Sequence, residues 1–540
     1  MPATLVAVLL WFAPLQRSQA SPAGGWQPPL GIPTPSFGIR ETAPEPPWPW
    51  AKPVRGFYYV EPSAPGATDI WNPYGTPASP RATIPLRLPA GAVVELRGTY
   101  DYAHRGLFGI VAAGTRERPV FIRGASDRDM PSILRPWEVS GAYCVLEHLR
   151  FRDRDGATTG SLELLSPIHD VALRHSDVSG NLRAGGIGVR SRGWWTTASR
   201  IVIYDNRIHD NGDLRAAFDQ DCHGIAVGER VSYLWVVDNE LARNSGDGIQ
   251  INARSAAGEA GTHHIFVGRN TAHHNKQNGF WTKQATDVVF SQNVAWAHRP
   301  SNSSPGGGLG FQYAPSYVWF LFNRVYDSDF GIVTGSDRDL GAGTESFFIG
   351  NVLRDIHDSD GDFNPATGWQ NCGISLAGGV NHYVINNTIV DVDSGICSPG
   401  LTGKVELHNN VVFGVRPDGQ HVFLEYQAVA AASRASGNLF GPTYRGRTAG
   451  VEHEIGPTAG AGAAGNAVAS DAGLDLALPV PRITAASRAV DLGVDDPAGV
   501  YSLFLHRYGL DIRRDFDGQR RPAGRAWDAG AFELASPPNR

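Results

Sequence analysis

Cysteine, methionine and lysine are all scarce in this 540-residue chain: four Cys, two Met and four Lys, the other 43 of its 47 basic residues being Arg. Cys144, Cys222, Cys372 and Cys397 are too few for a disulfide scaffold at this length, and their spacing carries no metal motif. No stretch approaches the roughly 18 apolar residues that span a bilayer, so no membrane span is expected. Charged residues are only 19%, the net charge is −6 and no basic run occurs, which gives a nucleic-acid partner no support. Long charged helices are excluded by the same shortage. The 64 glycines point instead to short strands joined by tight turns.

Residues 1–20 read as a signal peptide, with an apolar run from Leu5 to Leu15 and a small-x-small site at Ser18-Gln19-Ala20. A secreted protein, extracellular or periplasmic, is therefore expected. Residues 21–89 are rich in Pro and Gly and read as an N-terminal lead-in and cap. From about residue 90 two signals alternate. One is a Gly followed by alternating apolar residues, at Gly186, Gly224, Gly248, Gly279, Gly310, Gly331, Gly373 and Gly395. The other is a short β-type run ending in Asn, at Asn206, Asn239, Asn270, Asn293, Asn323, Asn351, Asn387 and Asn410. A strand of period two presents one apolar face that a single coil cannot bury, whereas stacked coils can. Asn at one corner of every coil can form a hydrogen-bonded ladder. The pattern predicts an all-β chain: a single-stranded parallel β-helix over 90–440, closed by a C-terminal capping segment at 441–540. A monomer is expected.

With Gly as reference, the outward columns can be written down. The position before Gly holds His223, Asp247, Asn278 and Leu309. Two after Gly stand Ala226, Gln250, Trp281 and Gln312, and four after stand Gly228, Asn252, Lys283 and Ala314. His223, Asp247, Gln250, Asn252, Asn278, Trp281, Lys283 and Gln312 should then share one outer face. Where charge alone is needed this chain uses Arg. A Lys can give up its proton when partly desolvated and Arg cannot, so Lys283 is the candidate general base. His223 can act as acid or base near neutrality, oriented by Asp221 or Asp247. Trp281 could stack on a sugar ring, extended by Trp194, Trp195 and Trp296. Asp358, Asp360 and Asp362 imitate the start of a calcium loop, but no Glu closes it at the twelfth position, so a surface turn is expected.

The repeat, lead-in and tail resemble the pectate-lyase-like superfamily of right-handed parallel β-helix proteins over roughly 55–535. That resemblance implies the handedness and a carbohydrate partner, since members include lyases, hydrolases, epimerases and binders. The stretch 273–293 (HHNKQNGFWTKQATDVVFSQN) is similar to the alginate lyase and chondroitinase B family, which implies a lysine base at Lys283. That family's calcium carboxylates are replaced here by Lys276, Gln277 and Asn278, so no cofactor is required and calcium has no support at this position. Asp221-Cys222-His223 resembles the Asp-Pro-His motif of mannuronan C5-epimerases, with Cys in place of Pro. The expected activity is a polysaccharide lyase acting by β-elimination on a uronate polymer. Lys283, His223 and Asp221 would be catalytic, and Asp247, Gln250, Asn252, Asn278, Trp281 and Gln312 would hold substrate. A C5-epimerase or a non-catalytic carbohydrate-binding β-helix stays open as the alternative.

Overall fold

The computed structural model describes residues 25–46, 50–101, 108–153, 159–253, 261–335, 345–364, 370–378, 381–400, 403–441, 446–448, 451–452 and 465–534. The leader expected at 1–20 lies outside the described residues. Each coil carries three strands. In one coil these are Ile225–Val227, Val231–Val237 and Glu240–Ala242; in the next they are Ile249–Asn252, His263–Gly268 and Thr271–His273. Each strand pairs in parallel with its counterpart one coil on. The first two ladders merge into one 27-stranded sheet, because strands such as Leu162–Arg174 run through the corner between them, and the third forms a 14-stranded sheet. The short third strand, of two to five residues directly after the Asn corner, is an element that the two alternating sequence signals do not reveal.

Parallel pairing begins at Phe57–Val60, ahead of residue 90, and in the third sheet reaches Ala467–Val468. Ile225, Ile249, Phe280 and Ile332 point inward and are fully buried, as the period-two reading requires. Between these coils one register needs correcting. The Gly that aligns with Gly279 is Gly308, not Gly310, because Phe280 pairs with Leu309 and Lys283 with Gln312. Gly310 is an outward residue beneath Trp281, where an added Cβ would meet the indole at 2.4 Å. Gln312 therefore belongs to the column of Asn252 and Lys283, two places from where the Gly count sets it.

The Asn corner is a continuous ladder from Asn206 to Asn466. Each side-chain carbonyl accepts from the backbone N–H and the side-chain amide of the Asn one coil before it, at 2.7–3.1 Å. Each amide also donates to a main-chain carbonyl, as Asn323 does to Phe290 at 3.0 Å. The buried polar groups of the turn are thus satisfied without water.

The outer face of the second ladder is apolar: Ala172, Val202, Trp235, Phe266, Val289, Trp319 and Phe347 are all buried. Described segments from either side of the repeat cover it. The N-terminal segment runs along the coils, with Trp235 Nε1 donating to Pro33 O at 2.8 Å and Ser291 Oγ to Leu30 O at 2.6 Å. The helix Val500–Tyr508 continues the cover, with Phe504 edge-on to Trp319. The two segments meet at Gly31, where a Cβ would touch Ile512 and Phe504. The C-terminal segment thus packs on the flank of the solenoid as well as following its last coil. Among the described residues no helix is long and apolar enough to cross a membrane.

Candidate functional site

The corner leading into the first strand of each coil holds His223, Asp247 and Asn278, and a second asparagine ladder positions it. Asn181, Asn211, Asn244 and Asn275 stack there through side-chain carbonyls that accept from the coil before. His298 takes the next place: its Nε2 faces Gly279 at 3.1 Å from a hypothetical Cβ, as Asn275 Nδ2 faces Gly248. On this frame His223, Asp247 and Asn278 are only 7%, 1% and 4% exposed. They form a third ladder. His223 Nδ1 accepts the Asp247 N–H at 2.9 Å, Asp247 Oδ1 accepts the Asn278 N–H at 2.9 Å, and Asn278 Oδ1 accepts the Gly307 N–H at 3.0 Å. Asp247 is further held by Asn278 Nδ2 at 2.9 Å and Gln250 Nε2 at 2.8 Å.

These contacts fix the chemistry of His223. With Nδ1 accepting, the proton of the neutral ring sits on Nε2. Burial holds the imidazole below its usual pKa, against the opposing pull of Asp247 and Asp221, and Lys283 adds to the lowering. His223 is therefore a neutral hydrogen-bond donor near pH 7, suited to polarising a carboxylate and not to protonating a leaving oxygen. Asp221 does not orient it. Its side chain is turned to the neighbouring loop, accepting from Gln277 Nε2 at 2.9 Å, while Asp247 Oδ2 lies 3.5 Å from His223 Nδ1.

Lys283 ends the strand Phe280–Lys283 on the outward column Asn252–Lys283–Gln312, half-buried, with Nζ 5.6 Å from the Tyr313 ring. Among the described residues it makes no ion pair. The other lysines of the repeat are committed: Lys276 Nζ donates to Phe218 O at 3.0 Å, and Lys404 pairs with Glu406 at 2.9 Å. Gln250, Asn252 and Gln312 surround Lys283 on the same face. Trp281 is only 6% exposed against Gly310, so it is the floor of the patch and not a stacking platform. Trp296 sits in the third sheet, stacked between His273 and Tyr326, away from this face.

Sequence columns missed four charged residues further toward the N-terminus on the same sheet. Glu138 and Glu163 are register partners. Arg190 lies 3.0 Å from Glu163 and Arg192 2.7 Å from Glu138. Burial pushes the Glu163 carboxyl above its usual value, with Arg190 pulling the other way. The Gly count carried back to Gly160 would set Glu163 three places on, at an inward position; the pairing of Leu162 with Ile187 aligns Ser161, not a Gly, with Gly186. Among the described residues two clusters bring potential metal ligands within 4.8 Å of one another, Asp355/His357/Asp391 and Asp329/Asp358/Asp360, and neither includes a residue of the Lys283 patch. The Asp358 carboxylate gathers backbone N–H groups of its own turn, including Gly361 at 2.7 Å. Two cavities of about 580 and 420 Å³ lie beside the third sheet, and neither is lined by Lys283 or its neighbours.

Residues 164–339, a stretch holding all nine predicted site residues, match the family model of the right handed beta helix region. The fold is the right-handed parallel β-helix. Comparison with curated protein sequences finds no match. Solved structures with a similar winding include the GH136 lacto-N-biosidase from Eubacterium ramulus, at 14% identity over 71% of this chain and 67% of that one, with a TM-score of 0.45. The PL6 family alginate lyase AlyGC is 14% identical over 68% of this chain, with a TM-score of 0.39, and the β-helix described here spans about half of its length, 52%. PfbA, a surface adhesin of Streptococcus pneumoniae, is 11% identical over 62% of this chain and 84% of its own, with a TM-score of 0.37. Likenesses at this level carry no argument about what this chain does.

Proposed function

We propose that this β-helix protein is exported and acts on a uronate-containing polysaccharide by β-elimination at Lys283. The observation that carries the reading is Lys283 itself: a rare lysine, on an outward column between Asn252 and Gln312, that no carboxylate neutralises among the described residues. A uronate carboxylate makes the adjacent C5 proton removable, provided the enolate that develops is stabilised. Lys283 takes that proton. The C4–O bond then breaks as the C4=C5 double bond forms, and the ammonium returns its proton to the leaving oxygen or to water. Neutral His223 donates from Nε2 to the substrate carboxylate. The amides of Gln250, Asn252 and Gln312 hydrogen-bond the sugar, while Asp247 and Asn278 hold the corner beneath. An open face, not a closed pocket, suits a polymer. The apolar leader at 1–20 supports export, and no metal is assigned to the step.

The test is a panel of uronate polysaccharides followed at the ultraviolet wavelength where the unsaturated product absorbs. A rise in absorbance with at least one polymer is expected. Proton exchange at C5 without absorbance would replace the lyase by an epimerase. Binding with neither would make the protein a carbohydrate binder.

A further inference from the structure

Along the outward columns the side chains shrink toward the N-terminus from Lys283. Ala226 precedes Gln250 and Trp281, and Gly228 stands in the coil before Asn252 and Lys283. One coil earlier still, the face rises again. Glu163 leans over Gly188, where a Cβ would come within 2.1 Å of Oε2, and that oxygen is buried without a hydrogen-bond partner. Arg190 stands beside it with its side chain 48% exposed. The result is a trough one coil wide, floored by Ala226 and Gly228, between a charged wall and the amides of Gln250 and Asn252.

The segment at the end of the charged wall is anchored. Arg192 N donates to Ser166 Oγ at 2.8 Å, and Ser166 Oγ lies 2.6 Å from Thr196 Oγ1. It nevertheless presents Trp194 and Trp195 to solvent, 76% and 69% exposed, with their rings edge-to-face at 5.8 Å. Two adjacent indoles left bare on a fixed turn contribute nothing to the core and are the kind of apolar patch that marks a contact surface.

We propose that the trough and the Trp194–Trp195 turn form a remote subsite for a uronate unit of the same polymer, with Arg190 as the carboxylate contact. The proposal rests on the Lys283 reading for the identity of the polymer. From the strand of Arg190 to that of Lys283 is three coil steps, about 14 Å at parallel-strand spacing, the span of a short oligosaccharide lying along the solenoid axis. Arg190 spends one contact on Glu163 and keeps the rest of a planar, five-donor group facing solvent, the geometry that takes a carboxylate bidentately. Indole faces stack on the apolar faces of sugar rings.

The experiment measures calorimetric binding of size-graded oligouronates, dimers to octamers of the alginate and polygalacturonate types, to Lys283→Arg protein. That background prevents turnover during the titration. Ala226→Leu, which fills the trough, and Trp194→Ala/Trp195→Ala are compared on it, with unchanged melting as the control for folding. Affinity should rise with length until the oligomer reaches the trough. Both variants should remove that gain, about tenfold on the longest oligomers, and leave dimers unaffected. Affinity independent of length, long-oligomer binding unchanged in both variants, or no binding by any oligouronate would overturn the subsite. Length-dependent binding by a wild type that never cleaves would support the subsite and sink the lyase reading. Cleavage without length dependence would do the reverse.

Discussion

His223 Nδ1 accepts the backbone N–H of the residue stacked upon it, so the ring has a structural task and a separate chemical one. The next two coils show how to separate them, because Asn278 satisfies the same kind of N–H with an amide oxygen. His223→Asn should keep the ladder and stay within about 1 kcal/mol of wild-type stability, whereas His223→Ala orphans a buried N–H at a cost of about 1–3 kcal/mol. If Nε2 donates to the substrate, His223→Asn should still lose at least tenfold in turnover. Denaturant unfolding and turnover on the same two variants check both halves, and full activity in His223→Asn would confine the histidine to the ladder. The outward columns brought Lys283, Asn252 and Gln250 together from sequence alone, because period two fixes which way a side chain points. What sequence could not supply was the partner of each group. Asp221 adjoins His223 in the chain but turns away, and Asp247, a whole coil on, lies against the ring.

At the scale of the element, the ladders set the register. The Asn signal was legible because every coil repeats it at the same corner. The second ladder was not, because it runs over only four asparagines before its next place is taken by His298. Counting from Gly slipped by two at Gly308 and Gly310 because three glycines sit in one strand, and only the partner of Phe280 shows which is the reference. The third strand is too short to carry a period of its own. Asn323 lies in the middle of the corner ladder. Asn323→Ala removes the acceptor for two donors of Asn293 and the donor to Phe290 O. A loss of about 3 kcal/mol is expected, measured by denaturant unfolding. A change below about 0.5 kcal/mol would mean that the ladder is decoration on a stack held by its apolar core.

The molecule as a whole is a solenoid with one flank roofed by segments from either side of its repeat. Runs such as LWVV before Asp238 and WFLF before Asn323 are apolar at every position, not at alternate ones, and this is the mark of a strand buried on both faces. The sequence therefore carried a sign of the roof, but not of which segments form it. Buried histidines make this body acid-sensitive. Burial holds His298 at about 3 and His382 at about 4, against an ordinary 6.5, so both are neutral in the folded protein. The unfolded chain binds their protons first as pH falls below 6.5, so stability declines from there until pH passes the folded values. Each contributes about 3 kcal/mol of the loss by pH 4. His298→Asn restores the residue type of its ladder and removes one such group. Melting curves from pH 7 to pH 4 should fall less steeply for His298→Asn than for wild type, and parallel curves would refute the assignment.

The most direct measurement is turnover and affinity of wild type and Lys283→Arg on a uronate polymer at matched ionic strength. Arg keeps the charge but cannot act as a base near neutral pH. If Lys283 removes the C5 proton, the variant should bind the polymer and lose at least about 10²-fold in turnover. Near-normal turnover in Lys283→Arg would contradict the account and leave Lys283 as no more than a positive charge on the face of the β-helix.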